Sequence, residues 1–484
     1  MLVLYCISMQ QGFQFRAYPS KVVAEMLRRW IGCQRFIYNA KVAEDRYFRV
    51  FARKSLQHTG EPVPLDQRYS QFKSELTPWL AEVPSQVLRN GASRWRQAYQ
   101  RYFKGLAGRP TPKRKSGRQS VWLTRELFEL IENSDPKTQK TRWWLKVGTD
   151  KFPVGLIEFT PHRPFCSPPN SVHVGLSAGR WYVSFSLEDG LPEPTEEEIL
   201  EGLKHLRPDE LTECTLGIDR GTALPVAASD GRVFEFSLVQ KRRLEKKARG
   251  RRRWQRRLAR RVKGSGRRER AKARVARAQA YGAQVREDFA HQVSHRLTSC
   301  AEHSLFVFED LNVKNMTASA AGTSEAPGRN VRQKTGLNRR ILESAWGRVR
   351  LYARYKARRH GKLLISVPAQ YSSQECAECR YIHPENRRSQ PMFLCQRCGH
   401  TDNADHNAAR VIARRGIEAL LSGAVVLKEP KRVSIRKVGP ERSEPVAQDS
   451  ASPTYVEIAV SRPASNGRAL RSGKRETPAT ARVA

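Results

Sequence analysis

The chain has 484 residues, with 88 Lys and Arg against 47 Asp and Glu, a net charge of +41, and 39% of its residues are hydrophobic. That length fits about three domains with sizeable cores, and the apolar content separates the chain from disordered polymers. No apolar run reaches the roughly 20 residues of a membrane span. The opening Met1-Leu2-Val3-Leu4-Tyr5-Cys6 lacks a basic n-region and a small-residue cleavage site, so no signal peptide is expected and the cytoplasm is the expected compartment. Nine cysteines in such a chain favour metal ligands and buried thiols over disulfides. The positive excess makes nucleic acid the leading partner.

In chain order, Phe13 to Tyr18 reads as a strand closed by Pro19, and Lys21 to Phe51 as a helix with Met26, Leu27, Trp30, Ile31, Phe36 and Ile37 on its apolar side. After a loop at 60–64, further helices run through Leu80, Val83, Val87, Trp95 and Phe103. Residues 105–120 read as a basic loop. From Val121 to Glu188 the pattern changes to short β runs such as 143–147 and 181–187. Residues 190–198 read as an acidic, Pro-containing linker. A new domain opens near Cys214 with a strand at 215–219 and a hairpin turning at Ser229-Asp230-Gly231. A buried strand at 304–309, a basic helix at 337–360 and a strand at 363–367 make a βαβ-like unit. The tail from 422 to 484 holds a single aromatic, Tyr455, and reads as disordered.

The charge is concentrated. Residues 241–274 carry 19 Lys and Arg against Glu245 and Glu269, and Gly264-Ser265-Gly266 divides them into two helices. Residues 329–362 carry 12 Lys and Arg against Glu343. A solvated face normally mixes both signs, so neutralising phosphates explains these stretches better. Trp254, Trp346 and Tyr352 interleave with the charge; stacking on bases is open to them, with core packing the expected role of Trp346.

Cys376-x-x-Cys379 and Cys395-x-x-Cys398 are two C-x2-C pairs separated by 15 residues. Two such knuckles bring four thiolates around a structural Zn2+, whose binding folds a loop too short to build a core. Gly399 suits the knuckle turn, and His400 reads as a surface residue. Acids stand at three structural ends. Asp219 ends one apolar strand and Glu309 ends another beside Asp310, of which only one can face inward because successive strand side chains alternate. Asp405 follows Asp402, a candidate N-cap, at the start of a helix. Three such acids suit two Mg2+ about 4 Å apart for phosphodiester hydrolysis.

The motifs together resemble the TnpB proteins of bacterial insertion sequences, transposon relatives of the compact type V CRISPR nucleases. The matching residues are Gly217-Ile218-Asp219-Arg220-Gly221, then Glu309 to Met316, then Tyr371 to Cys376 leading into the knuckles, and Asp405-His406-Asn407-Ala408-Ala409. Phe15 to Pro19, Arg35 to Asn39, Lys263 to Ser265, Arg286 to Ser294 and Asn338 to Lys356 fit as well, so the likeness covers about residues 10–420. Arg220 departs from the pattern, where an apolar residue is commoner, and the tail is longer than the family core.

The resemblance implies a multidomain α+β fold. It places a β-barrel wedge domain at 1–20 and 121–195, with a helical recognition domain at 21–120 inserted in it. An RNase H-like (RuvC) nuclease follows at 211–367, interrupted by a zinc ribbon at 368–402 and completed by the helix at 403–421, ahead of the tail at 422–484. It makes Asp219, Glu309 and Asp405 the catalytic, Mg2+-holding acids, choosing Glu309 over Asp310 and Asp405 over Asp402. It further implies a guide RNA, cleavage of matched double-stranded DNA beside a short adjacent motif, and a bacterial, nucleoid-associated setting. A compact type V CRISPR effector would share these features, distinguished by its neighbouring DNA. A guide-directed repressor without cleavage is a second alternative, against which the presence of all three acids argues. A DDE transposase fits poorly, because its last acid is normally Glu.

Overall fold

The structure, a computed structural model, describes residues 8–52, 67–134, 141–165, 167–323, 325–387, 389, 391–425 and 427. The chain parts into two units, Met1–Ser434 and Ile435–Ala484, and every described residue belongs to the first. The loop expected at 60–64 and nearly all of the expected tail therefore lie outside the described residues.

Strand β1 (Ser8–Pro19) follows its alternation, with Phe13, Phe15 and Ala17 buried and Gln14 and Tyr18 exposed. Ser20 then caps helix α1 (Lys21–Tyr47), its hydroxyl accepting from the Val23 N–H at 3.3 Å. The helix ends four residues before the expected Phe51 and passes into a π turn. Helix α2 (Ser85–Phe103) buries Val87, Leu88, Ala92 and Trp95. Buried Gln34 ties this pair to the sheet, donating to the carbonyls of Val87 (3.3 Å) and Trp122 (3.0 Å) and accepting from the Trp122 N–H (2.9 Å). Every polar atom of that amide oxygen–nitrogen pair is thus used, which makes its burial tolerable.

The β runs expected between 121 and 188 are β2 (Gln119–Thr124), β3 (Phe128–Ser134), β4 (Thr141–Gly148), β5 (Pro153–Thr160), β6 (Ser171–Ser177) and β7 (Arg180–Pro192). They form one antiparallel sheet with β1, in the order β2-β6-β7-β1-β5-β4-β3. Among the described residues β2 and β3 are its edges. Rings of Phe13, Phe15, Phe159 and Phe185 meet inside it at 5.5–5.8 Å, a spacing that suits offset and edge contacts.

The expected linker at 190–198 is instead the end of β7 and the start of helix α3 (Glu196–Lys204), followed by α4 (Pro208–Glu213). Thr195 and Glu198 form a reciprocal capping box, and Leu200, Leu203 and Leu211 pack with Leu305, Leu363 and Ile365. Acids and Pro194 gave the segment a linker's composition, while the cap and the leucines decide its structure.

A second sheet holds β8 (Thr215–Asp219), β9 (Val226–Ala228), β10 (Val233–Phe234), β11 (Leu305–Glu309) and β12 (Leu363–Val367), in the order β10-β9-β8-β11-β12. β8, β11 and β12 are parallel, and every residue of β8 and β11 is buried, as parallel strands covered on both faces require. The Asp-Gly hairpin between β9 and β10 is present. The basic stretch divides where its glycines stand, into α5 (Leu238–Ala259) and α6 (Gly266–Thr298).

The second basic helix is not continuous. After the short α7 (Val313–Met316) the chain forms α8 (Val331–Glu343) and α9 (Trp346–Arg359), broken at Ala345 with φ of 64°. The break turns Trp346 inward, where its indole N–H donates to the Gly221 carbonyl at 3.0 Å, and this contact outweighs the strain of a left-handed alanine. Trp346 is buried, in line with the core role expected of it.

Helix α10 (Ala404–Leu421) crosses the parallel strands at close range because two glycines allow it. A Cβ on Gly217 would lie 2.0 Å from the Ala409 carbonyl oxygen, and one on Gly416 would lie 2.3 Å from Val307 Cγ2. Among the described residues, no helix is long and apolar enough to cross a membrane.

Candidate active site and metal centre

β8 and β11 run side by side with Phe308 opposite Ile218, so Asp219 and Glu309 end neighbouring strands together. Side-chain period two puts Asp219 on the same sheet face as Gly217, the face that receives α10. Asp405 lies one turn before Ala409 and therefore over that same strand end. Three segments far apart in sequence thus bring the three expected acids to one buried place, at 9%, 6% and 5% exposure. Asp310 is exposed instead.

The helix cap differs from the expectation. Asn403, not Asp402, is the N-cap of α10, its side chain accepting from the Asp405 and His406 N–H groups at 3.0 and 3.3 Å. Asp402 pairs with the His406 ring at 2.8 Å, and the other ring nitrogen lies 3.2 Å from the Ser229 carbonyl oxygen. His406 thereby ties the first turn of α10 to the β9–β10 turn.

Burial first, then the charges of Glu309 and Asp405, push the Asp219 carboxyl up to about 7. Burial also raises Glu309, against the Ser372 hydroxyl that donates to its Oε1 at 2.5 Å and against nearby arginines. Asp405 is raised by burial as well, opposed by Arg387, whose Nη2 lies 3.3 Å from its Oδ1. Mutual repulsion in a buried site with incomplete arginine compensation is the electrostatic condition in which added divalent cations are stabilising. The oxygen-only donor set suits Mg2+.

Three residues of this site carried no assigned role in the sequence. Ser372 stood in a matched motif ahead of the first cysteine, which was its only signal. Arg387 sits in the spacer between the cysteine pairs and gave none. Arg220 is buried, its guanidinium 5.4 Å from the Phe308 ring centroid and donating to the Glu309 carbonyl, so it joins the ends of β8 and β11. An apolar residue there could not make that bond.

The Sγ atoms of Cys376, Cys379, Cys395 and Cys398 all lie within 4.8 Å of one another, as four ligands of one ion must. The Cys376–Cys398 and Cys379–Cys395 pairs stand at 3.7 and 3.5 Å. The N–H groups of Arg397 and Cys398 point at Cys395 Sγ, which suits a thiolate knuckle. His400 is outside the group. A small hairpin, β13 (Met392–Leu394) with β14 (Thr401–Asn403), carries the second pair. Asn407 fastens the knuckles to α10, accepting from the Ala377 N–H (3.0 Å) and donating to the Glu375 carbonyl (2.8 Å).

The basic helices α5, α6 and α8 line a cleft of about 670 Å³ with Lys247, Arg251, Arg252, Arg286, Arg339 and Arg340. α5 buries none of its residues. Trp254 lies between Arg257 and Arg274, at 4.8 and 5.7 Å from its ring centroid, and Tyr352 is stacked on His291.

Fold and side chains together define a basic, mixed α/β protein with a buried three-carboxylate site and a four-cysteine cluster of metal-ligand geometry. Three family models match it: "Probable transposase" (OrfB_IS605) over residues 193–320, "Cas12f1-like, TNB domain" over 346–412, and "Helix-turn-helix domain" (HTH_OrfB_IS605) over 9–46. The last description does not suit the local structure, which is a strand and one unbroken helix. InsQ of Escherichia coli (strain K12), provisionally named an RNA-guided DNA endonuclease, is 31% identical over 422 residues, 86% of this chain and 94% of its own. A Streptomyces pristinaespiralis protein with the same provisional name is 28% identical over 438 residues, 88% of this chain and 94% of its own. The CRISPR-associated endodeoxyribonuclease Cas12f1 of Sulfoacidibacillus thermotolerans is 42% identical over 71 residues, 15% of this chain and 17% of its own. The chain belongs to the TnpB family.

Proposed function

We propose that this protein is an RNA-guided DNA endonuclease, cutting guide-matched double-stranded DNA next to a short adjacent motif. The observation that carries the reading is the convergence of Asp219, Glu309 and Asp405 from two parallel strands and a helix into one buried, mutually repelling site. Family membership and the names of the relatives support it.

Asp219, Glu309 and Asp405 would hold Mg2+, which supplies the Lewis acidity that activates water toward phosphorus. The chain's own residues organise that site. Ser372 fixes the rotation of Glu309 by donating to one of its oxygens. Arg220 fixes the relative position of the two strand ends. Arg387 holds positive charge against Asp405 from the zinc-ribbon side, where it would face a scissile phosphate. The cleft between α5, α6 and α8 would grip the backbone of the RNA–DNA heteroduplex.

The domain arrangement follows the same reading. Residues 1–20 and 121–195 would make up the wedge domain, whose described strands form an open sheet rather than the closed barrel the resemblance implied; 21–120 would be the recognition helices, and 211–367 with 403–421 the RuvC nuclease around a zinc ribbon at 368–402. Cys376, Cys379, Cys395 and Cys398 would hold a structural Zn2+ that fixes that ribbon. Asp219→Ala is expected to abolish cleavage of a guide-matched plasmid while guide-RNA binding persists. Undiminished cutting by that variant would sink the assignment.

A further inference from the structure

The loop between α6 and β11, Cys300-Ala301-Glu302-His303, stands at the opposite end of β11 from Glu309. The five residues of the strand, at about 3.3 Å each, put it roughly 17 Å from the acidic site. Cys300 Sγ, a Glu302 carboxylate oxygen and a His303 ring nitrogen all lie within 4.8 Å of one another. The Cys300 thiol lies 3.5 Å from Glu302 Oε2. His303 is only 8% exposed, and its Nδ1 is buried with no hydrogen-bond partner among the described residues. Leaving a buried polar atom unsatisfied costs about 1–3 kcal/mol, so an orphaned ring nitrogen calls for a partner.

The backbone under these donors is fixed. The Ser304 N–H donates to the Cys214 carbonyl at 2.9 Å, the Leu363 N–H to the Ser304 carbonyl at 2.9 Å, and the Lys362 ammonium to the Cys300 carbonyl. Three different donor types are therefore held together by the rim of the sheet rather than by a wandering loop.

We propose that Cys300, Glu302 and His303 form a second transition-metal site, distinct from the four-cysteine centre and taking Zn2+ or an ion of its class. A thiolate, an imidazole and a carboxylate are the donors such ions select, whereas Mg2+ prefers oxygen alone. Cys300 gives its thiol proton to solvent as the sulfur–metal bond forms. His303 binds as the neutral ring; through Nδ1, the ion is the partner that atom lacks. Thiolate and carboxylate together balance the charge of the ion, so the ammonium of Lys362 meets no net repulsion there. Three protein donors leave a fourth position for water. Bound there, the ion staples the C-terminal end of the long basic helix α6 to the sheet.

The test is equilibrium dialysis of the full-length protein against Zn2+, with bound metal measured by mass spectrometry, for the parent and for Cys300→Ser/Glu302→Gln. Both changes are isosteric, and neither side chain is buried, so the variant should keep the parent's circular dichroism. The parent is expected to bind one zinc per chain more than the variant, and nucleic acid carried by both preparations cancels in that difference. Cobalt substitution is expected to add a one-thiolate charge-transfer band in the parent that the variant lacks. Equal zinc stoichiometry in the two proteins overturns the proposal, and so does an unchanged cobalt spectrum. Should the double variant misfold, Glu302→Gln alone serves, and zinc affinity equal to the parent's overturns the proposal.

Discussion

An alanine at position 217 has nowhere to go. Its Cβ would lie 2.0 Å from the Ala409 carbonyl oxygen, 2.6 Å from the Ala413 nitrogen and 2.9 Å from the Ala413 Cβ, all on α10. Two of these atoms are helix backbone, so no side chain can rotate away. Restoring van der Waals contact requires α10 to retreat by about 1 Å. Overpacking of this kind costs roughly 1–3 kcal/mol of stability. The functional cost should be larger, because Asp405 rides on the first turn of the displaced helix while Asp219 stays on the strand. A misplacement of about 1 Å at a reacting centre can cost ~10²-fold in rate. The expected result for Gly217→Ala is a folded protein with a slightly lowered melting temperature, unchanged guide-RNA affinity, and cleavage of a matched plasmid reduced about 10²-fold. Gly202→Ala is the control, since a Cβ there meets nothing within 4 Å. A Gly217→Ala protein that cuts at the parent rate and melts at the parent temperature refutes the reasoning.

Stability without magnesium should depend on pH in the direction the acids dictate. Asp219 holds its proton more tightly folded than unfolded, so between its ordinary 3.8 and about 7 the protein loses stability as pH rises. Thermal melts in magnesium-free buffer should fall over that window, and Asp219→Asn or added Mg2+ should flatten the fall; equal slopes in parent and variant would contradict it. Cys376→Ser is expected to release the zinc of the four-cysteine centre and to abolish cleavage, because Asn407, Arg387 and Ser372 lose their fixed positions, while guide-RNA binding remains. Metal analysis with a cleavage assay checks both halves. Replacing Arg251, Arg252 and Arg340 by Gln should weaken nucleic-acid binding and lower the slope of log affinity against log salt by about 2–3, on the basis of 0.7–0.9 per phosphate contact. An unchanged salt slope would take those residues out of the nucleic-acid interface.

Much of this arrangement was legible in the sequence, and the part that was not has a common cause. Apolar runs ending in acids marked β8 and β11, because a strand covered on both faces leaves no room for polar residues except at its end. The cysteine spacing marked the metal centre, and Gly264 and Gly266 marked the division between α5 and α6. Each of these signals is local. The break at Ala345 is not, since the nearby Gly347 lies inside α9 rather than at the break and the stabilising contact is with Gly221, more than a hundred residues away. The roles of Arg387 and Ser372 depend in the same way on tertiary placement that no spacing encodes. The capping box at Thr195 was local and legible, but the acidic composition around it suggested a linker. The N-cap was a near miss of one residue, with Asn403 and Asp402 equally suited by type and separated only by where β14 ends.

The distribution of charge adds a constraint that neither the acids nor the basic helices carry alone. A nucleic-acid backbone is drawn to this protein by 28 net positive charges in two stretches, residues 241–274 and 329–362. Between them Asp219, Glu309 and Asp405 stand together, with Arg387 ion-paired to Asp405 and Arg220 beside Glu309. A phosphate steered in by the helices would meet three carboxylates that burial and mutual repulsion keep from ionising fully, and whatever charge they carry repels it at the last few ångströms. Divalent cations on the acids remove that repulsion, so on the proposed reading binding and cutting separate cleanly. Magnesium removal should leave nucleic-acid affinity governed by salt alone while cleavage stops. Substituting the basic cleft should do the reverse, weakening binding at every magnesium concentration without changing the magnesium needed for half-maximal cutting of bound substrate.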